Sequence, residues 1–583
     1  MNKDKRKLNT NQSSQVTTKK KRNEIDQTVM SIENLSNEIF YEIFDYLDGC
    51  NIYQIFANLN SRFEKLLNSS SLLFKIKIRP TLKERFIKNY KEIILFHKNQ
   101  ILSIHFSSVV YHQMISLLNI DCSFNRLESL VFDSIQPFIL TPLLSKLIHL
   151  PRFFSLTIDT QKTLHNLIHV YRLIFDLPKL QYLRFFAMET NDTSITVSLP
   201  ININNQFSTI KHLVIDHPCA FNELFSIISY TPQITRLSFI HKAYSTFKTD
   251  IISPIILSNL THLSIYGDHL QFDKVQMFIT KIDAKLKVLS VKSLAKDITY
   301  LNANCWKELI MNNFPRLEEF HLTFLIFLES IHRTSLYINK LNTFNSLFWI
   351  ERQWLLQAEI SLDTIIYSVH PFKKRWYEYQ SQDQTIHPSN ELLKSMRILF
   401  TIIPYYDNMK PLKQIISHIS NVADIYHLEI DEEIYTDTLM EILVLLPELD
   451  SLKISSLLYS NPIYINGKDS NVLCLLTSLN QITKVYLMKM TKMEEIDFLI
   501  ELCPQMIYLK VEFLHHINIQ LFVRVILTKI NMKFNHKLRL LCARVKAVDN
   551  DIIEKLNSMI NSENLLTDYT IKRITDDIYL QWK

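Results

Sequence analysis

The sequence predicts an α/β chain: a short all-α unit followed by an irregular horseshoe, a solenoid of strand–helix repeats with a parallel sheet on its concave face. Three observations predict it. First, the chain has 583 residues, and one compact core stops growing at roughly 250–300, so it is several domains or an elongated array. Second, the phrase apolar-x-x-apolar-x-apolar recurs along it at steps of 24 to 33 residues, the spacing of stacked structural repeats. Third, it holds only three glycines, Gly49, Gly267 and Gly467, where ordinary usage of about 7% would give roughly 41. Glycines so far apart exclude a Gly-rich phosphate loop, a dinucleotide fingerprint and a G-x-S-x-G elbow. With them go most nucleotide enzymes and the α/β-hydrolases, and the sequence points to binding.

Charge and cysteine usage narrow the class further. The net charge is +6, and residues 1–22 alone carry eight basic side chains against Asp4. The rest is therefore about −1 (6 − 7), without the basic excess of a nucleic-acid-binding body. Arg6-Lys7, an eleven-residue spacer and Lys19-Lys20-Lys21-Arg22 resemble a bipartite nuclear import signal, and also fit a solvated, disordered basic arm over residues 1–30. Nucleus or cytoplasm is the expected location. Seven cysteines without a C-x-x-C give neither a disulfide framework nor a zinc knuckle and suit a reducing compartment. No apolar h-region opens the chain and no run of 18 apolar residues occurs, so neither a secretory signal nor a membrane span is expected.

Residues 31–78 form the first folded unit. Ser36 can N-cap a helix with Glu38 in its first turn, and Ile39, Phe40, Ile43, Phe44 and Leu47 follow as a wide apolar stripe. Asp48-Gly49 is expected to end that helix, with glycine as a left-handed cap. A second helix carries Ile52, Ile55, Phe56 and Leu59. A third opens on Ser61-Arg62-Phe63-Glu64, a capping-box pattern. Three short helices bury little surface alone, so part of this apolar surface is expected to face a partner.

A helical linker and array cap is expected over 79–124. The repeated phrase then appears in two blocks, 125–324 and 425–583, the second ending in a C-terminal cap. In the first it stands at Leu127/Leu130/Phe132, Phe153/Leu156/Ile158, Leu180/Leu183/Phe185, Ile210/Leu213/Ile215, Ile234/Leu237/Phe239, Leu260/Leu263/Ile265, Leu286/Leu289/Val291 and Leu317/Phe320/Leu322. In the second it stands at Ile425/Leu428/Ile430, Leu449/Leu452/Ile454, Ile482/Val485/Leu487 and Met506/Leu509/Val511. Six copies carry a proline two residues ahead (Pro151, Pro178, Pro232, Pro315, Pro447 and Pro504), where a helix cannot continue. Spacers such as Gln161–Asp176, Thr438–Leu446 and Glu494–Leu502 have helical periodicity. A plain α/β protein with strand–helix alternation is the competing reading.

Residues 325–424 break the period. Trp354–Tyr367 reads as two extended runs with a turn near Ser361–Asp363. Pro371–Tyr377, with Lys373, Lys374, Arg375 and Trp376, reads as an edge strand blunted by lysines or as an anion contact. Nothing favours catalysis. His165 and His169 share a helical face but lack the glutamate of H-E-x-x-H. His515-His516 point to different faces, and Asp431-Glu432-Glu433 fits a solvated turn. No catalytic residue, metal ligand or cofactor is expected.

Side chains alternate across a strand, so residues flanking the last two apolar positions face the hollow of the horseshoe. The expected partner-binding floor holds Tyr182, Arg184, His212, Asp216, Arg236, His262, Tyr266, Lys292, Glu319 and His321, continued by His427, Glu429, Lys453, Lys484, Tyr486, Tyr508 and Lys510. Its mixed charge and aromatic content fit a protein better than a phosphate track.

The first unit resembles an F-box. Leu35, Glu38, Ile39, Ile43, Phe44, Tyr46, Leu47 and Asp48 fall in register with that motif, as do Asn58–Phe63 and Leu73-Phe74-Lys75. Ser36 and Phe74 stand where the family has proline and tryptophan. The array resembles leucine-rich repeats, although the asparagine three positions past the last apolar residue is replaced by Ile135, Pro218, Lys242 or Leu325, so irregular turns are expected. An F-box/leucine-rich-repeat protein is implied. That resemblance implies a non-catalytic substrate receptor of an SCF-type cullin-RING ubiquitin ligase. Leu35, Glu38, Ile39, Ile43, Phe44 and Leu47, supported by Ile55 and Phe56, would dock the small adaptor and through it the cullin, while the repeats hold an unidentified target protein. A repeat scaffold with no ligase role is the alternative.

Overall fold

The computed structural model describes residues 32–78, 91–107, 120–160, 166–188, 195–197, 199–200, 207–242, 254–294, 297–327, 344, 346–361, 364–371, 396–400, 416, 425–459, 480–513, 518–532, 537–544 and 551–583. The basic arm, Lys373–Tyr377, His165 and the His515-His516 pair lie outside them. The chain is mixed α/β and divides into two compact units, one ending at Lys77 and the other beginning at Ile78.

Helices α1 (Asn37–Asp45), α2 (Gly49–Phe56) and α3 (Ser61–Leu67) and all but the last residue of strand β1 (Phe74–Ile78) make the first unit. Its core is aromatic. Phe40 meets Phe63 edge-on at 4.8 Å between ring centroids, and Phe56 lies 5.1 Å from both Phe44 and Phe63. Two turn assignments are corrected. Gly49 does not take a left-handed conformation. It is the first residue of α2, where Asp48 is the N-cap and its carboxylate accepts from the backbone of Cys50 and Asn51. Glycine is needed there for space, because a Cβ would stand 2.7 Å from the Cβ of Phe74. The cap of α3 is Asn60, not Ser61, since its side-chain oxygen accepts from the backbone of Arg62 and Phe63.

Arg62 staples this unit together. Its guanidinium donates to the Asn37 side chain (2.8 Å) and to the carbonyls of Glu33 (2.6 Å) and Leu35 (2.5 Å), and lies 5.4 Å from the Phe40 ring centre. Charge-assisted bonds of this kind are among the stronger ones. Arg62→Ala is expected to destabilise the three-helix unit by about 2 kcal/mol, read as earlier proteolytic cleavage within residues 32–78 while the second unit stays intact.

The second unit opens with β2 (Ile101–Ser107), β3 (Ser129–Ile135), α4 (Pro137–Leu147), β4 (Ser155–Thr160), α5 (Ile168–Phe175), β5 (Tyr182–Ala187), β6 (His212–Cys219), α6 (Phe221–Ser229) and β7 (Arg236–His241). Then come β8 (Ile255–Leu257), β9 (His262–Asp268), α7 (Phe272–Thr280), β10 (Ile282–Ala284), β11 (Val288–Leu294), α8 (Ala303–Asn313) and β12 (Glu319–Phe327). Apart from β8 and β10, which pair with each other, these strands pair in parallel and in chain order. Register places Ile104, Leu130, Leu156, Leu183, Leu213, Leu237, Leu263, Leu289 and Phe320 side by side in one buried row. The ladder thus begins at β2, inside the stretch expected to be a helical cap. Ile101, Ile104 and Phe106 carry the same phrase, but a 3-10 turn over Lys98–Gln100 precedes them in place of a proline turn.

The helices pack on the apolar rows. Tyr171 of α5 lies 5.5 Å from Phe185, Phe278 of α7 lies 5.3 Å from Phe239, and Trp306 of α8 lies 5.1 Å from Phe320. All six prolines occupy the turn between a preceding buried residue and the strand. The turn closes by bonds such as Ile234 N–H to Thr231 C=O and Leu317 N–H to Phe314 C=O, which puts proline at the second position that suits its fixed φ.

The expected interruption lies within the sheet. After α9 (Leu347–Glu351), β13 (Trp354–Ile360) and β14 (Thr364–Pro371) form the expected antiparallel hairpin. Strand β14 pairs antiparallel with β12, and β13 pairs in parallel with β15 (Met396–Phe400). The order is therefore β12–β14–β13–β15, with β14 interior. Trp349 and Trp354 are buried beside Phe320 and Phe348. From β15 the parallel series resumes through β16 (Ile425–Tyr435), β17 (Ser451–Leu458), β18 (Lys484–Met490), β19 (Tyr508–Phe513) and β20 (Leu540–Arg544). Helices α10 (Thr436–Val444), α11 (Met493–Leu502), α12 (Ile519–Met532) and α13 (Ile552–Ser562) intervene in this half. The end is antiparallel: β21 (Tyr569–Ile574) pairs with β22 (Asp577–Trp582), and β22 with β20.

The irregular turns appear as bulges. Four register shifts fall within the three residues that follow the last apolar position, between Phe132 and Ile135, Ile215 and Pro218, Ile430 and Glu433, and Leu487 and Met490. Ser134 takes a φ of 67° in the first of them. Asp431-Glu432-Glu433 thus sits inside a bulged strand, with Asp431 3.6 Å from Lys453, and not in a turn after it.

Candidate interaction surfaces

In the first unit, burial sorts the expected docking residues into two groups. Ile39 is 41% exposed and Ile55 56% exposed, while Leu35, Ile43 and Leu47 are half-buried. Phe44 and Phe56 are buried at 3% and 8% exposure, which corrects their assignment: both rings complete the aromatic core and leave nothing for a partner. Leu59 and Tyr46, outside the expected set, are exposed at 54% and 91%. Tyr46 is the C-cap of α1 and Leu59 lies three residues past α2, positions that bury less than helix centres. Glu38 is exposed, and its hydrogen bond with Ser36 holds its carboxyl below the ordinary range, so α1 starts with a fixed negative charge.

The second surface is the sheet face opposite the apolar rows. All ten expected floor residues between β5 and β12 lie on it, each half-buried or exposed. Register sets Tyr182, His212, Arg236 and His262 side by side, with the Tyr182 and His212 rings edge to face at 4.9 Å. Arg184 donates to Asp216 at 2.6 Å, and Glu319 accepts from His321 at 3.1 Å. Burial, then the charge of Arg236, lowers the pKa of both His212 and His262.

The continuation on β16–β20 differs. His427, Glu429, Tyr486 and Tyr508 are buried, and the lysines are already paired. Lys453 meets Glu429 at 3.3 Å, Lys484 meets Asp450 at 2.5 Å and Lys510 meets Asp577 at 3.0 Å. Arg544 and the Tyr486 hydroxyl both reach the Glu512 carboxylate at 2.7 Å. These residues were expected on an open floor. Adjacent strands instead carry opposite charges at neighbouring positions, so the face satisfies itself.

An open cleft of about 500 Å³ lies along the turns ahead of β4–β7, lined by Arg152, Phe154, Lys179, Gln181, Thr209 and Lys211 among others. The expected floor did not include it, because it is built from the residues around the repeated prolines. Among the described residues no three His, Cys, Asp or Glu side chains stand together as a metal-binding group, and no helix is long and apolar enough to cross a membrane. No protein-family model matches the chain, and none of the curated proteins matches it.

Proposed function

We propose that the chain is the non-catalytic substrate receptor of an SCF-type cullin-RING ubiquitin ligase, with the F-box-like helices docking the small adaptor and the leucine-rich-repeat-like sheet face holding the target protein. The observation that carries this reading is the exposure of Ile39 and Ile55 on a small unit whose own core is already filled by Phe40, Phe44, Phe56 and Phe63. Large apolar side chains left outside a completed core are free to be buried by a partner. In-register parallel strands with helices on the opposite face suit the leucine-rich-repeat horseshoe. A receptor of this kind contributes proximity and orientation rather than bond chemistry.

The test is co-purification of the adaptor with the full chain. Wild type is expected to retain it, and Ile39→Asp/Ile55→Asp to lose it by at least about tenfold, since a buried unpaired carboxylate costs more than 1.4 kcal/mol. Both side chains are exposed, so the circular dichroism spectrum should not change. A wild-type chain that never recovers adaptor sinks the ligase reading and leaves a repeat scaffold.

A further inference from the structure

The two halves of the open sheet face differ in one respect that bears on the partner. On β16–β20 Lys453, Lys484, Lys510 and Arg544 are neutralised by the chain's own carboxylates. On β7, β9 and β11 two cations are not. Arg236 is exposed and forms no ion pair among the described residues. Lys292 is exposed, forms no ion pair among the described residues and lies 5.6 Å from the centroid of the Tyr266 ring. Between them the register sets Ser238, Ser264 and Ser290 side by side on three adjacent strands, a row of small, half-buried hydroxyls. The carboxylates at the margins are engaged: Asp216 by Arg184, Glu319 by His321, and Asp268 by the Tyr266 hydroxyl at 3.1 Å.

We infer that the serine row between Arg236 and Lys292 is the seat of an extended, glutamate- or aspartate-bearing segment of the partner protein. The three hydroxyls can donate to a carboxylate or to a peptide carbonyl, and the two cations flank it from opposite ends of the strands. Burial and the Arg236 charge keep the neighbouring His212 and His262 neutral hydrogen-bonding groups over a wider pH range. This inference rests on the receptor reading for its context and adds the chemistry and location of the target contact.

The experiment uses the full chain and a hexaglutamate peptide carrying a photo-crosslinker, with crosslinks mapped by mass spectrometry. Crosslinks are expected in β7, β9 and β11. Arg236→Glu/Lys292→Glu should reduce them about tenfold or more, as charge reversal opposite a carboxylate costs at least 1.4 kcal/mol, while Lys572→Glu on the distant β21 leaves them unchanged. Crosslinks confined to residues 1–22, or unaffected by the double reversal, overturn the inference. Adaptor recovery is measured on the same samples: a wild type that retains adaptor but gives no crosslinks to these strands defeats this contact alone, whereas a wild type that is crosslinked there but recovers no adaptor defeats the ligase reading alone.

Discussion

Ile366→Pro should split the unfolding of the second unit into two transitions. Ile366 is half-buried on β14 and pairs with Leu325 of β12 on one side and Glu359 of β13 on the other. Through this hairpin alone, among the described residues, the parallel run β2–β12 connects to the parallel run β15–β20. Proline removes one ladder N–H and leaves a carbonyl unpaired in the middle of a sheet, a loss of about 2–4 kcal/mol. Urea unfolding followed by intrinsic tryptophan fluorescence should resolve two midpoints, with Trp349 and Trp354 reporting the earlier one. Ile366→Ala keeps the backbone donor and should shift the single midpoint only slightly. One unshifted transition in the proline variant would show that the halves do not depend on the hairpin.

Acidification should weaken the same unit, through histidines on its apolar side. His217 is fully buried; its Nδ1–H faces the Pro218 carbonyl at 3.3 Å, so Nε2 accepts from the Tyr171 hydroxyl at 2.7 Å. His241 is 3% exposed and stacks on Phe221 at 4.3 Å. Burial pushes both imidazoles down to about 4 from the ordinary 6.5. Between those values the unfolded chain binds more protons than the folded one, so stability rises with pH. The contribution is complete above about 6.5 and disappears as pH falls through 4. At pH 5 each histidine withdraws about 2 kcal/mol relative to pH 7. His217→Gln should be less stable at pH 7 because the Tyr171 bond is disturbed, yet its pH 7-to-5 loss should be about 2 kcal/mol smaller than that of wild type. Equal pH dependence in the two proteins would contradict the buried neutral imidazole.

In all twelve copies of the apolar phrase the last two positions lie in a strand and the first lies at its start or in the turn just ahead of it, and the 36 apolar side chains are all buried. Spacing of three and two residues carries that much because the same three side chains must enter the core at every repeat. Two further copies depart from the pattern. Ile101/Ile104/Phe106 lacks the proline turn, and Leu538/Leu541/Ala543 ends on a side chain too small to register as apolar. The hairpin was legible as a hairpin from its alternation, but its insertion between the blocks was not. Nothing local tells whether two strands leave a sheet or join it, since β12 simply continues its alternation to Phe327. On the first unit, periodicity could not separate Phe44 and Phe56 from Ile39 and Ile55, because a wide stripe on a short helix spans both core and surface. Likewise the charges of β16–β20 appeared open until register revealed their cross-strand partners.

The outermost strand of the C-terminal hairpin, β21, has β22 on one flank and no other strand on its opposite flank among the described residues. Lys572 and Arg573 stand in its middle. Should two copies of the molecule approach along this border, each would set its cations against the other's, and dehydrating them would gain nothing in return. A protein whose backbone hydrogen bonding runs through so many consecutive strands thereby resists filament formation along this border.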